Sequence, residues 1–279
     1  MKVLATVSEV RAFRASRKGW LGLVPTMGAL HAGHLSLVAR ARKENEHVAA
    51  SIFVNPAQFG PAEDFAAYPR ALDADLGLLA SLGVDAVWTP SAGEVYPSGF
   101  QTWITVEDVT APLEGARRPG HFRGVATVVA KLLNVFQPER AYFGQKDAQQ
   151  VAVIKRMVED LSFPVDIVVC PIVREKDGLA MSSRNSYLGP DERRAAPVLH
   201  RALEEARAAF DRGERDAGRL RGILTKTLAG EPLVRPEYVS VADASTLAEL
   251  DRVEGTALVS LAARIGKTRL IDNVVLGGN

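Results

Sequence analysis

The sequence predicts an α/β protein, a doubly wound parallel sheet with a smaller C-terminal α+β domain. Three features carry that expectation. Apolar, strand-like segments alternate with helical patterns through the first half. Those strand segments are apolar at consecutive rather than alternate positions. After about residue 172 the pattern changes to charged helical stretches followed by strands. Consecutive apolar positions belong to strands buried on both faces, the usual state of parallel sheets, and strand–helix alternation is the pattern of the doubly wound arrangement.

Trp20–Val24 reads as a strand and Leu35–Asn45 as a helix, with charge clustered at Arg40, Arg42, Lys43 and Glu44. Val48–Val54 is a second, nearly continuous apolar strand. Leu72–Leu82 follows as a helix, Val84–Trp88 as a strand, Val125–Phe136 as a strongly apolar helix and Ala141–Phe143 as a short strand. Gln149–Asp160 is then a helix and Val165–Cys170 a strand. Beyond them, Pro190–Arg212 and Asp216–Leu228 read as charged helices. Tyr238–Val241, Thr256–Ala263 and Arg269–Val275 are strand-like, the last two flanking a turn at Ile265–Thr268. A boundary near Pro171 divides the chain into a Rossmann-like domain over 1–172 and an α+β domain over 173–279.

The 279 residues, 47% of them hydrophobic, suit one large or two ordinary domains. With 34 basic and 33 acidic residues the net charge is +1, which gives no electrostatic case for nucleic acid or an acidic membrane surface as partner. The single cysteine, Cys170, sits in the apolar run Ile167–Cys170; it has no disulfide partner or CxxC spacing and reads as a core residue. The N-terminal segment carries Glu9, Arg11 and Arg14 in place of a signal-peptide apolar core, and no apolar run reaches membrane-spanning length. A cytoplasmic location is expected.

Candidate chemistry begins at Pro25–His34, a strand end turning through Gly28 and Gly33 into a helix, with His31 and His34 three residues apart. That spacing puts both imidazoles on one side of the first turn. The helix N-terminus attracts phosphate through its N–H groups and dipole, and the glycines let a nucleotide approach the backbone. A histidine there can donate to the α- or β-phosphate of ATP as pyrophosphate leaves; the plainer alternative is a pair of polar residues near a helix cap. Metal ligation by the pair lacks a third ligand.

Asn55 and Gln58 follow the second strand, where ligands of open α/β sheets bind. Their amides both donate and accept, though Asn-Pro alone would mark a turn. Gly144–Asp147, with Gln149 and Gln150, again lies where a strand meets a helix. Lys146 can neutralise phosphate, while Asp147 can accept from ribose or cap the helix. Lys176–Arg184 offers Ser182, Ser183 and Arg184 as donors to the β- and γ-phosphates, on a glycine-bearing loop expected to close over ATP; the alternative is a Ser-Ser turn that starts a helix. Arg117–Gly124 is a basic loop in which His121 and Arg123 serve either an anionic substrate or the fold. Asp73 and Asp75 are candidate outer ligands for a magnesium ion, but acids on a helix read first as solvated.

Taken in order, Pro25–His34, Phe53–Phe59, Tyr68–Arg70, Gly120–Val125, Phe143–Gln150 and Gly178–Asn185 resemble the motifs of the pantothenate synthetase family, within the HxGH nucleotidyltransferases. The resemblance covers about residues 20 to 190. It implies an AMP-forming ligase that joins (R)-pantoate to β-alanine through pantoyl adenylate, releasing pyrophosphate, in pantothenate and coenzyme A biosynthesis. It also implies a homodimer, and magnesium with the ATP. By the same resemblance His31, His34 and Lys146 are catalytic. ATP contacts fall on Met27, Gly28, Ala29, Leu30, His31, Ala32, Gly33, His34, Gly144, Gln145, Lys146, Asp147, Val173, Met181, Ser182, Ser183 and Arg184. Gln58 would hold pantoate and meet β-alanine, Gln150 would hold pantoate, and Asn55 lies beside them. Residues 1–172 would then bind ATP and pantoate, and 173–279 would act as a lid. Gln145 stands where many members have Glu, and Asp73-Ala74-Asp75 replaces a denser acidic run, so no metal ligand is assigned. An adenylyltransferase that stops at AMP transfer to a phosphate shares the HxGH element but needs a basic acceptor pocket, whereas Asn55, Gln58 and Gln150 are neutral. A nucleotide-sensing module would have less need of both histidines, Lys146 and the Ser-Ser-Arg segment.

Overall fold

The computed structural model describes residues 1–61 and 63–277. In chain order the elements are β1 (Lys2–Leu4), α1 (Val7–Ala15), β2 (Leu21–Thr26), α2 (Ala32–Glu44), β3 (His47–Ile52), α3 (Leu72–Ser81), β4 (Ala86–Trp88), α4 (Ala92–Val95), α5 (Leu113–Arg117), α6 (His121–Phe136), β5 (Arg140–Gly144), α7 (Ala148–Asp160) and β6 (Asp166–Cys170). They continue with α8 (Pro190–Ala195), α9 (Val198–Asp211), α10 (Ala217–Ala229), β7 (Val234–Asp243), β8 (Ala257–Ile265) and β9 (Thr268–Leu276). The chain forms two compact units, Met1–Gly144 with Val153–Pro171, and Gln145–Ala152 with Ile172–Asn279. The last two positions of the domain read as 173–279 lie outside the described residues.

The first unit is the expected α/β body. Its six strands run in the order β1-β4-β3-β2-β5-β6, and every pair is parallel. From β2 the chain winds through β3 and β4 on one side and through β5 and β6 on the other, so β2 and β5 flank the point where the winding direction reverses. Ligands of such sheets bind outside the carboxyl ends of the strands at that point. Val24, Val48, Ala50 and Val87 pack with Leu37, Val38, Ala41 and Leu79 of α2 and α3 in a core that also takes Tyr142 and Cys170. Burial pushes the Cys170 thiol pKa up, in keeping with its reading as a core residue.

The second unit holds the antiparallel sheet β7-β8-β9 packed with α9 and α10. Leu199, Leu203, Leu220 and Leu224 meet Val241, Val259, Leu261 and Leu270 in its core. The stretch read as one helix over Pro190–Arg212 is two helices, α8 and α9, with Pro197 at the junction; a proline lacks the N–H that would continue the ladder. The strand read as Tyr238–Val241 extends over the whole of β7. Helix α1, absent from the sequence reading, starts with a reciprocal Thr6–Glu9 capping box.

One close approach in the first unit sets a loop at the carboxyl end of β3. Helix α6 lies against the 3-10 turn Pro56–Gln58. A Cβ on Gly124 would stand 2.3 Å from the Ala57 carbonyl oxygen and 2.7 Å from the Gln58 nitrogen. Both are backbone atoms, so the contact cannot be relieved by a rotamer. Gly124→Ala is expected to cost roughly 1–3 kcal/mol of unfolding free energy, as for other overpacked positions. Urea denaturation checks this, and an unchanged midpoint contradicts it.

Candidate functional site

In the first unit the segment after β2 is built by three sets of hydrogen bonds. Thr26 Oγ1 donates to the Ser51 carbonyl and accepts from Gly28 N–H. Gly28 and Ala29 then take positive φ, 85° and 50°, a conformation that costs a non-glycine residue about 1–2 kcal/mol. Asp75 on α3 compensates: its carboxylate accepts from Ala29 N–H at 2.9 Å and Leu30 N–H at 2.8 Å. Asp75 is only 2% exposed, so its reading as a solvated acid is corrected. A carboxylate can be buried there because two backbone donors satisfy it. Asp73, on the same helix, is exposed.

The third set is a capping box made of histidines. His31 is the N-cap of α2; its Nδ1 accepts from Gly33 N–H at 3.1 Å, and His34 Nδ1 accepts from His31 N–H at 3.4 Å. A ring nitrogen that accepts cannot carry the proton, so this network assigns both protons to Nε2. The rings lie 4.1 Å apart between centroids, on one side of the turn as the spacing predicts. The cap reading and the phosphate reading are therefore compatible: capping uses Nδ1, and the phosphate reading calls on Nε2–H.

Gln58 is tied to the same turn, its Nε2 donating to Met27 Sδ at 3.1 Å. Its Oε1 accepts from Asn55 Nδ2, which also donates to the Gly124 carbonyl; Asn55 Oδ1 accepts from Ala57 N–H and from the Tyr96 hydroxyl. Asn55 is 1% exposed, and with these partners it orients the Gln58 amide. The Tyr96 hydroxyl is pushed up to about 12, chiefly by burial. From below, His121 Nδ1 donates to the Gln58 carbonyl at 2.8 Å while its Nε2 accepts from Arg118, itself paired in a fork with Glu63. Burial, with the Arg118 charge beside it, lowers the His121 pKa to about 4. The stretch read as a basic loop over Arg117–Gly124 is helical from His121 onward, as the start of α6; His121 and Arg118 take the structural one of the two roles weighed, and Arg123 lies over the Trp103 ring at 4.8 Å.

In the second unit, Lys146 Nζ is 3.6 Å from Asp147 Oδ1. The backbone carbonyls of Gln145 and Lys146 both accept from Asn273 Nδ2, and the Gln145 side chain donates to Asn273 Oδ1. The Arg174–Ala180 loop closes on itself through an Arg174–Ala180 bridge and a Glu175–Leu179 hydrogen bond. Gly178 sits at φ 93°, where a Cβ would strike the His200 ring. Met181 N–H bonds the Val173 carbonyl at 3.0 Å. Ser182 caps the 3-10 turn Ser183–Tyr187, its Oγ accepting from Arg184 N–H, the turn-forming role weighed in the sequence. Gln150 lies near the start of α7, partly exposed.

Sequence reasoning missed Asp75 as the holder of the turn, His121 as the support of Gln58, and Asn273. The signals were thin: an acid five residues after Arg70, a histidine in Gly120–Gly124, and a polar pair in an apolar strand.

The pantoate-beta-alanine ligase family profile matches residues 2–275. A pantothenate synthetase of Roseiflexus castenholzii is 61% identical over 276 residues, covering 99% of each chain. That of Chloroflexus aurantiacus is 58% identical and covers 100% of this chain and 99% of its own. Among solved structures, a pantothenate synthetase from Thermus thermophilus superposes with a TM-score of 0.95 at 49% identity, covering 98% of this chain and 99% of its own. A pantoate-β-alanine ligase from Francisella tularensis, complexed with β-γ ATP and β-alanine, superposes with a TM-score of 0.82 at 35% identity, covering 100% and 99%.

The buried His121 ring makes stability depend on pH. The folded protein keeps it neutral down to about pH 4, whereas the unfolded chain protonates near the ordinary value of 6.5. Between those values the unfolded state binds more protons, so stability falls as pH drops through the window, by roughly 3 kcal/mol in all. Urea unfolding at fixed pH is expected to give a shallower slope there for His121→Gln; an identical slope contradicts the assignment.

Proposed function

The chain belongs to the pantoate-β-alanine ligase family, joining pantoate to β-alanine with ATP as the nucleotide substrate, and we propose that it does so in two steps through an enzyme-bound pantoyl adenylate. In the first, a carboxylate oxygen of (R)-pantoate bonds to the α-phosphorus as the bond to pyrophosphate breaks. In the second, the β-alanine amine bonds to the acyl carbon as AMP leaves. The carboxylate is already ionised, so the first step asks the protein for position and charge stabilisation rather than a base.

The observation that carries this reading is the histidine capping box, with two Nε2–H donors at a helix N-terminus on a turn tied to Gln58 through Met27. His31 and His34 donate to the phosphates, His34 acting as the proton donor, while Met27, Gly28, Ala29, Leu30, Ala32 and Gly33 supply backbone beside the nucleotide. Gln58, oriented by Asn55, holds pantoate and meets β-alanine; Gln150 holds pantoate. Gly144, Gln145, Lys146 and Asp147 serve ribose and phosphate, Val173 and Met181 lie near adenine, and Ser182, Ser183 and Arg184 bind the phosphates. Residues 1–172 act as the ATP- and pantoate-binding domain and 173–279 as the lid.

Magnesium fits this reading as an ion carried by the triphosphate. Among the described residues no group of three His, Cys, Asp or Glu side chains could cage it, and Asp75 is committed to backbone N–H groups; Mg²⁺ on a nucleotide keeps several waters and needs few protein ligands. Bound with the nucleotide, the ion would neutralise phosphate charge. Among the described residues no helix is long and apolar enough to cross a membrane; a cytoplasmic homodimer is part of the proposal.

Positional isotope exchange in ATP, with pantoate present and β-alanine absent, tests the adenylate step. Scrambling is expected, and His34→Ala is expected to reduce its rate by about a hundredfold or more, the range for loss of one such donor. No scrambling overturns the two-step reading, and a normal rate in the variant overturns the role of His34.

A further inference from the structure

Strand β9 breaks its own pattern. Leu270 and Leu276, with Val274 beside them, face the core of the second unit, and Asp272 shares their face by alternation. It is paired across β8 with Leu261 and is 2% exposed. An acid in that row needs a partner, and it has one: Arg174 forks onto it, Nη1 to Oδ2 at 2.6 Å and Nη2 to Oδ1 at 3.0 Å. The same guanidinium donates to the Gly178 carbonyl at 3.1 Å. A buried ion pair is seldom more stabilising than an apolar replacement; what such a pair supplies is a fixed geometry.

The next residue, Asn273, faces the other side and is also buried. Its Nδ2 donates to the carbonyls of Gln145 at 3.0 Å and Lys146 at 2.9 Å, and its Oδ1 accepts from Gln145 Nε2 at 3.1 Å. Only this orientation of the amide satisfies both ends, since two carbonyls can only accept. Two consecutive residues of one strand thus hold two separate segments, 145–146 and 174–178.

We propose that Asn273, with Asp272 and Arg174, is a positioning residue for the first step. It fixes the backbone that carries Lys146, while Asp272 and Arg174 fix the loop leading into Ser182–Arg184. This rests on the reading that Lys146 and the Ser-Ser-Arg segment act on ATP. Asn273 and Asp272 act through the segments they hold.

The test compares pantoate-dependent exchange of pyrophosphate into ATP with aminolysis of supplied pantoyl adenylate, in Asn273→Ala, Asn273→Ser, Lys146→Ala and the double Lys146→Ala/Asn273→Ala. Misplacing Lys146 is expected to lower exchange kcat/KM for ATP by about ten- to hundredfold in Asn273→Ala. Aminolysis should be unchanged, and the double variant should lose nothing beyond Lys146→Ala alone. Asn273→Ser, which keeps one hydroxyl donor, should fall between and serves if the alanine variant does not fold. Equal loss in both half-reactions, or normal exchange in the Asn273 variants beside an impaired Lys146→Ala, overturns the positioning role and leaves the ATP reading standing. Normal exchange in Lys146→Ala overturns both.

Discussion

The carboxylate of Asp75 is what the first unit's candidate site depends on. Without it, Ala29 would sit in a left-handed conformation with its N–H and that of Leu30 unsatisfied in a part-buried turn, a combination that backbone sterics and desolvation both oppose. With it, the chain leaves β2, reverses, and enters α2 with His31 already at the N-cap. The histidine box follows from that placement, and so does the approach of Met27 to Gln58. A turn built this way is held before any ligand arrives, which is the condition for the donors of the proposed nucleotide site to stabilise developing charge without reorganising.

The second unit uses the same physics with a different side chain. There the holder is an amide, Asn273, and the held groups are carbonyls rather than N–H donors. In both units a buried polar residue distant in sequence fixes the main chain beside a proposed ATP contact. Fully satisfied buried polar groups rigidify their surroundings, whereas partly satisfied ones are costly. The Arg174–Asp272 fork and the Asn55–Gln58–Tyr96 cluster are of the satisfied kind.

Much of this architecture was legible in the sequence. Consecutive apolar positions in Val48–Val54 announced a strand covered on both faces, and β3 is buried through its centre in an all-parallel sheet; β6, read the same way, is an edge strand in which only Cys170 is buried. The spacing of His31 and His34 announced that the rings share a side, and they do. What was not legible depends on contacts between distant residues. Asp75 looks like any acid in a first helical turn until a turn more than forty residues earlier in the chain folds onto it. Asn273 has no local pattern to mark it, because its partners lie more than a hundred residues earlier. Sheet order was beyond periodicity, which reports burial and not neighbours. Pro197 was visible, but the charged pattern running through it masked its effect.

The central claim is that helix capping fixes the tautomer and direction of both histidines before ATP binds. Nitrogen-15 NMR of the imidazoles in the ligand-free protein at neutral pH measures this directly. The account predicts His31 and His34 with the proton on Nε2 and an unprotonated Nδ1, and a change in the Nε2 resonances when ATP is added. Protons on Nδ1 in either ring, or Nε2 resonances indifferent to ATP, would contradict it.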